Sequence, residues 1–181
     1  MFKKQNGFTL IELMVTLAVL AIVIAVGIPS FSRQINNNRS LTLGNDLVAA
    51  LNFARLEAVK RGKRVSICPS TDGATCLTSA DWAKGWMVFE DGATSDGAAL
   101  DIKTPLKQWS DMNAKAVISA TASAAIDYVR FTGIGMLART SNTDVSPRVF
   151  VVHATGCSGN SKSTITVGLA GMNSSTKTAC P

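Results

Sequence analysis

Histidine and charged residues are scarce in this chain of 181 residues. It has one histidine, and Asp, Glu, Lys and Arg together make up 17% of it, against about 25% in a typical soluble domain. One histidine, four cysteines and no catalytic cluster argue against a metal centre or a Ser-His-Asp triad. A hydrophobic fraction of 46% argues against disorder. We expect one folded domain that is not an enzyme and holds no metal or other cofactor.

The longest apolar run lies near the N-terminus, from Phe8 to Ile28, and contains one charged residue, Glu12. As a helix, its 21 residues extend about 31 Å, close to the thickness of a bilayer's hydrocarbon core. Lys3 and Lys4 precede the run. The positive-inside rule therefore keeps the leader in the cytoplasm and exports the rest. We expect a protein that crosses the membrane once, with its C-terminal part exported.

Two simpler interpretations of this run are open. A secretory signal peptide would end at the small residues Ala25 and Gly27, but the apolar region of such a peptide normally covers about 7–15 residues. A plain membrane anchor leaves Glu12 unexplained, because a carboxylate inside the bilayer costs about 2.5–3.5 kcal/mol. Glu12 therefore needs a partner or a function.

The N-terminus carries the stretch Lys3-Lys4-Gln5-Asn6-Gly7-Phe8-Thr9-Leu10-Ile11-Glu12-Leu13. This stretch resembles the class III signal of type IV prepilins and type II secretion pseudopilins. The resemblance implies that a prepilin peptidase cuts between Gly7 and Phe8 and methylates the new amine of Phe8. It also implies that Glu12 pairs with the N-terminal amine of a neighbouring subunit, and a buried charge with such a partner is tolerated.

A second helical pattern follows the apolar run. Pro29 removes one backbone hydrogen bond from a continuing helix, so we expect a kink there. The asparagines at 36–38 are poor helix formers. From Leu47 to Arg61 apolar residues recur at helical spacing, and Gly62 is a typical residue to end a helix. If both patterns form one helix, it is about 80 Å long.

Beyond this helix the pattern changes to short alternating or apolar runs separated by turn residues, which predicts strands. We expect strands at 64–68, 85–90, 126–131, 148–153 and 164–169, with weaker candidates at 100–103 and 116–119. Without a further helical pattern, these runs predict an α+β headpiece with an antiparallel sheet against the helix.

The headpiece sequence contains the stretches Ala54–Gly62, Val65–Ser70 and Trp82–Asp91. They resemble the GspH/FimT family, and in particular the FimU and FimT type of minor pilin. The C-terminal half matches only in outline, through Phe131–Gly135 and the last two cysteines.

The resemblance implies a type IV pilin-like fold with three regions, namely a leader over 1–7, a transmembrane and filament-core helix over 8–28 and a periplasmic headpiece over 29–181. It implies a structural minor pilin, in a tip complex that primes pilus assembly and supports twitching motility, adhesion or DNA uptake. The implied partners are the prepilin peptidase, other major and minor pilins, and the inner membrane before assembly at the cell surface. The alternatives are a DNA-binding competence pilin and a minor pseudopilin of type II secretion.

Four cysteines lie in the exported part, namely Cys68, Cys76, Cys157 and Cys180. An even number in an oxidising compartment predicts two disulfides, and three pairings are open. We favour Cys68–Cys76 and Cys157–Cys180, because each closes a local loop. Zinc binding is the alternative, but the paired CxxC spacing of zinc knuckles is absent.

The one dense basic cluster of the sequence consists of Lys60, Arg61, Lys63 and Arg64, in a chain of net charge +6. Cations at a helix C-terminus complement the helix dipole; the alternative is contact with DNA phosphates. In FimT-type competence pilins, a Gly-Arg-x-Arg segment near the C-terminus is associated with DNA binding. The matching stretch here, Gly171–Ser174, lacks both arginines. We therefore rank DNA binding second.

Overall fold

The computed structural model describes residues 7–110, 112, 114–122, 126–139, 144 and 146–181. In these residues one long helix, α1 (Leu10–Arg61), precedes a single turn of 3-10 helix at Trp82–Lys84 and eight strands. The strands are β1 (Val65–Pro69), β2 (Trp86–Asp91), β3 (Ile102–Trp109), β4 (Ala116–Thr121), β5 (Val129–Phe131), β6 (Arg148–Ala154), β7 (Lys162–Val167) and β8 (Asn173–Thr178).

Capping residues define both ends of α1. The side-chain oxygen of Thr9 accepts the backbone N–H of Glu12, and the Glu12 carboxylate accepts the N–H of Thr9, which completes a capping box. Gly62 ends the helix with a left-handed φ of 63°. The helix is one element of 52 residues, about 78 Å long, that includes Pro29. The proline therefore does not end the helix, and the expected kink stays a prediction.

The strands form two antiparallel sheets of four strands, where the sequence predicted one. The first sheet has the order β3-β2-β1-β5 and the second has the order β4-β6-β7-β8. The second half of α1 contacts β1 of the first sheet, and β6 and β7 of the second. One helix therefore covers parts of both sheets and joins them into one α+β headpiece.

The core lies between the buried face of α1 and the inner faces of the two sheets. Leu47 and Leu51 of α1 are fully buried there, as the helical spacing predicted. The rings of Trp82 and Phe150 meet edge to face, with centroids 5.0 Å apart. The Trp82 indole N–H donates to the carbonyl oxygen of Ile126 at 3.0 Å. Trp82 is thus a core residue.

The asparagines after the apolar run connect the helix to the second sheet. The Asn36 side-chain amide donates to the carbonyl oxygen of Gly156 at 3.2 Å. The side-chain oxygen of Asn37 accepts the backbone N–H of Ser158 at 2.8 Å. These tertiary hydrogen bonds offset the low helix propensity of asparagine, which is why α1 continues through this segment.

Three strands differ clearly from those predicted, and one of them, β5, begins at Val129 instead of Ile126. β3 extends to Trp109 through Pro105, which an edge strand accommodates because it has pairing partners on one side only. β8 was not predicted because the sequence Asn-Ser-Ser-Thr-Lys-Thr contains no apolar residue. It is an edge strand of the second sheet and is largely exposed, so it needs no apolar face.

Candidate functional site

The first half of α1 lies outside the headpiece. Every side chain from position 8 to position 25 is exposed, including Phe8 at 86%. In the part of the chain that the structure describes, α1 is the one helix long and apolar enough to cross a membrane. An exposed apolar helix of this length needs lipid or other helices around it.

Glu12 is the one charged residue between positions 8 and 32. One oxygen of its carboxylate accepts both the backbone N–H and the hydroxyl of Thr9, each at 3.1 Å. The carboxylate therefore lies at the N-terminus of α1, where the helix dipole favours a negative charge. The Thr9 N–H that it accepts belongs to the residue directly after Phe8. The Phe8 nitrogen becomes an amine if the Gly7–Phe8 bond is cut. The Thr-x-x-Glu pattern at 9–12 is the signal in the sequence that indicates this cap.

The predicted cleavage site precedes the helix. Gly7 and Phe8 are exposed, and α1 begins two residues after Phe8, at Leu10. A Cβ added at Gly7 would have no atom within 4 Å. Contacts within this chain therefore do not require glycine at position 7. If the prepilin signal requires a glycine there, the requirement comes from the peptidase. The cut and the methylation stay predictions.

The structure pairs each cation of the predicted DNA contact with a carboxylate. The distances are 3.3 Å for Lys60–Glu57, 2.7 Å for Arg61–Glu57, 3.2 Å for Arg61–Glu90, 2.6 Å for Lys63–Glu90 and 2.9 Å for Arg64–Asp96. The hydrogen bond from Arg61 lowers the pKa of Glu57, and that from Lys63 lowers the pKa of Glu90. Three carboxylates thus offset most of four positive charges, which weakens the cluster as a phosphate site.

The four cysteines form two disulfides, Cys68–Cys76 and Cys157–Cys180, with Cα atoms 5.7 and 5.9 Å apart. These are the pairings favoured from the sequence. The second attaches the end of the chain after β8 to the connection between β6 and β7. Among the described residues, no group of three or more His, Cys, Asp or Glu is placed to hold a metal ion.

His153 is half-buried on β6, and its burial lowers the pKa of the imidazole. The stretch that matches the DNA-binding segment begins in the turn between β7 and β8 with Gly171 and Met172, and its last two residues are the first two of β8. Met172, the second residue of that stretch, is exposed where the DNA-binding pattern has arginine.

Residues 43–171 of this chain match the family described as "Type II transport protein GspH". The chain belongs to the GspH family. A second match, to the prokaryotic N-terminal methylation motif, covers residues 2–28 and includes the prepilin-like signal. The two matches together cover the apolar run and most of the headpiece of this GspH-family protein.

Relatives and solved structures agree with this family. The chain is similar to the crystal structure of the type IV minor pilin FimU of Pseudomonas aeruginosa, with a TM-score of 0.55 and 23% identity over 80% of this chain and 90% of that one. It is 27% identical over 111 residues to a type IV major fimbrial protein FimA of Dichelobacter nodosus, and spans 61% of that relative's length. A second FimA is 29% identical over 123 residues, or 67% of this chain and 76% of the relative.

The GspH-family chain therefore has a type IV pilin-like fold, and the description of its family names type II transport. This confirms the GspH/FimT resemblance and the α+β fold predicted from the sequence. The N-methylation motif implies processing by a prepilin peptidase and pilin subunits as partners.

Proposed function

We propose that this protein is a structural minor pilin of a type IV pilus, incorporated in a tip complex that primes assembly. The observation that carries the proposal is the position of Glu12. It is the sole charge of the exposed apolar part of α1, held at the helix N-terminus and in register with a prepilin cleavage signal.

The physical argument concerns the cost of an unpaired charge in an apolar setting. In the bilayer, a carboxylate costs about 2.5–3.5 kcal/mol. Cleavage after Gly7 creates an amine at Phe8, and in a bundle of such helices each carboxylate meets the amine of another subunit. This pair offsets the cost for both subunits, and loss of either partner leaves the other charge unpaired. The free energy gained by this pairing therefore favours association of the helices over their dispersal in lipid.

The proposed order of processing, membrane insertion and assembly follows from this pairing. The prepilin peptidase removes residues 1–7 at the inner membrane, where the helix over 8–28 spans the bilayer and the headpiece over 29–181 is periplasmic. The helix then leaves the bilayer for the filament core, and the headpiece reaches the cell surface with the pilus. The chain contributes binding surfaces to motility, adhesion or DNA uptake and catalyses no reaction.

The substitution Glu12→Gln tests the proposal. We expect membrane insertion to be unchanged, because the apolar run remains, and incorporation into sheared filaments to fall at least roughly tenfold, the effect of about 1.4 kcal/mol. Glu57→Gln, in a surface ion pair of the same helix, is the matched control and should incorporate normally. Incorporation of Glu12→Gln at the control level would contradict the proposal.

Intact mass of the protein from membranes tests the processing. We expect loss of residues 1–7, gain of one methyl group, and loss of four hydrogens from the two disulfides. A chain that still begins at Met1, or that begins after the apolar run, would contradict the pilin assignment.

A minor pseudopilin of type II secretion is the second candidate, because the family description that matches the headpiece names type II transport. Co-purification separates the two functions. Recovery with pilus subunits supports the first, and recovery with secretion pseudopilins supports the second. Salt-sensitive micromolar binding to duplex DNA would instead revive the competence pilin, despite the ion-paired basic cluster.

A further inference from the structure

The headpiece begins where the exposed part of α1 ends. The described side chains from Phe8 to Ile35 are exposed, and Asn36 is the first buried residue of the helix. The exposed stretch extends about 42 Å along the helix axis. A bilayer with its headgroup layers is about 40–45 Å thick. A helix that crosses the bilayer over this stretch therefore places Asn36, and the part of the headpiece beside it, at the outer surface of the headgroups.

The connection between β6 and β7, residues 155–161, forms this side of the headpiece. The Asn36 side-chain amide donates to the carbonyl oxygen of Gly156 at 3.2 Å, and the Asn37 side-chain oxygen accepts the N–H of Ser158 at 2.8 Å. Both asparagines lie in the first helical turn that the headpiece buries. The connection is therefore held at the end of the headpiece that faces the membrane.

Three basic side chains surround this connection. Arg33 precedes Asn36 and Asn37 by three and four residues, so it lies on the same helix surface, one turn closer to the membrane. The Lys115 amine lies 3.5 Å from the side-chain oxygen of Asn36. Lys162 follows the connection directly, as the first residue of β7. We call Arg33, Lys115 and Lys162 the basic rim.

Acidic side chains are scarce beside the basic rim. The sequence has none between positions 12 and 46 and none after position 144. Asp111, which is close to Lys115 in sequence, lies outside the described residues. In the described part of the chain, Arg33 and Lys162 form no ion pair, whereas the cations at the C-terminal end of α1 are all paired with carboxylates. The basic rim thus presents positive charge to an anionic partner outside this chain.

The distance to the bilayer identifies that partner. Arg33 is five residues beyond Ile28, the end of the apolar run, which is about 8 Å along the helix. Asn36, beside Lys115, is about 12 Å beyond Ile28. The headgroup layer itself extends about 5–8 Å from the hydrocarbon core, and charges interact over a further 8–10 Å or so at about 0.1–0.15 M salt. Lipid phosphates therefore lie within range of the rim.

We propose that the basic rim binds the headgroups of anionic phospholipids in the leaflet next to the headpiece. This rests on the membrane span of the proposed function and adds a lipid partner to it. A negatively charged membrane surface attracts basic side chains that lie within a Debye length of it. The contact holds the headpiece against the membrane before assembly, and it breaks when the subunit leaves the bilayer for the filament.

Photo-crosslinking of the full-length chain in vesicles tests the contact. Asn160, an exposed residue of the connection, is replaced by p-benzoylphenylalanine. The vesicles contain equal amounts of anionic phosphatidylglycerol and zwitterionic phosphatidylcholine. Flotation shows insertion, and intact mass identifies the lipid adduct after illumination. We expect at least about fivefold more adduct with phosphatidylglycerol, the factor that one basic side chain near an anionic surface contributes. The same probe at Met172, in the turn that Arg55 binds at the far end of the headpiece, should form no lipid adduct.

Charge substitutions give a second measurement. The double variant Arg33→Gln with Lys162→Gln should lower the ratio of the two adducts at least about fivefold. Lys60→Gln, which removes an exposed cation at the far end of the headpiece, is the matched control and should leave the ratio unchanged. Higher salt should also lower the ratio, because it screens the charges.

The outcomes separate this contact from the proposed function. Equal adducts with both lipids, links to protein alone, or a ratio that the double variant retains would overturn the contact and leave the proposed function standing. A full-length chain that does not float with the vesicles would contradict the membrane span and the contact together. Failure of Glu12→Gln to reduce incorporation into filaments would contradict the filament role and leave the lipid contact standing.

Discussion

The substitution Arg130→Met tests how a buried ion pair fixes the connection between β2 and β3. The Arg130 Nε–H donates to the Asp91 carboxylate at 2.8 Å, and the two side chains are 1% and 0% exposed. The other guanidinium N–H groups donate to four backbone carbonyls of the connection, those of Ser95, Asp96, Ala98 and Ala99. One cation thus ties the backbone of most of this loop to β5.

The expected loss of stability follows from what the substitution leaves behind. Breaking a buried ion pair by removing one partner costs about 3–5 kcal/mol. The Asp91 carboxylate keeps the hydroxyl of Ser66 at 2.6 Å and the N–H groups of Ala93 and Asp101. These donors offset part of the uncompensated charge, so we expect about 3 kcal/mol, a large share of the roughly 5–15 kcal/mol of a typical domain.

The assay is denaturant unfolding of the full-length protein in detergent micelles, followed by tryptophan fluorescence. Faster hydrogen exchange of the amides at 92–101 should accompany the loss. Arg64→Met is the matched control. Its guanidinium bonds Asp96 at 2.9 Å and the carbonyl oxygen of Ala93 at 3.2 Å, but the side chain is 32% exposed. The control should cost about 0–1 kcal/mol.

The double variant Arg130→Met with Asp91→Asn distinguishes the cost of an unpaired charge from the cost of lost packing. It leaves no unpaired charge, so we expect it to be more stable than the sum of the two single variants predicts, by about 0.5–3 kcal/mol. A loss below about 1 kcal/mol for Arg130→Met, or strict additivity in the double variant, would refute this reasoning.

Three further predictions concern the second sheet. Ser40→Ala leaves the buried N–H of Ala154 without its 2.8 Å acceptor, and should cost about 1–3 kcal/mol by denaturant unfolding. The double serine variant of Cys157 and Cys180 opens a loop with a sequence separation of 23, and should lower stability by about 3 kcal/mol in the same assay; no change would mean that β8 holds the chain end by itself. Burial lowers the pKa of His153 below its ordinary value of 6.5. The folded state therefore binds fewer protons, and stability should fall as the pH drops below 6.5, a slope that His153→Gln should reduce.

The methylation motif and the long apolar helix could be predicted from sequence alone because their signals are local. The lysines, Gly7, Phe8 and Glu12 lie within one short stretch, and the length of the apolar run is a property of consecutive residues. The same holds for the end of α1 at Gly62, where a left-handed residue follows a helical pattern. The N-methylation motif and the GspH family both matched these regions.

Local patterns failed where tertiary contacts supply the stability. The asparagines at 36–38 have a low helix propensity. The helix continues through them because the connection between β6 and β7 hydrogen-bonds to Asn36 and Asn37. β8 has no apolar alternation because an edge strand is stabilised by backbone pairing with β7, which leaves its side chains free to be polar.

The sequence by itself determined that an apolar helix with one carboxylate precedes an α+β headpiece, because helix length, periodicity and caps depend on neighbouring residues. The tertiary structure decided which charges cancel and which apolar side chains stay uncovered. Glu90 neutralises Lys63 across 27 positions, whereas Leu56 and Met172 stay exposed on the headpiece. Such groupings depend on how two sheets pack on one helix, and no local pattern in the chain encodes that packing.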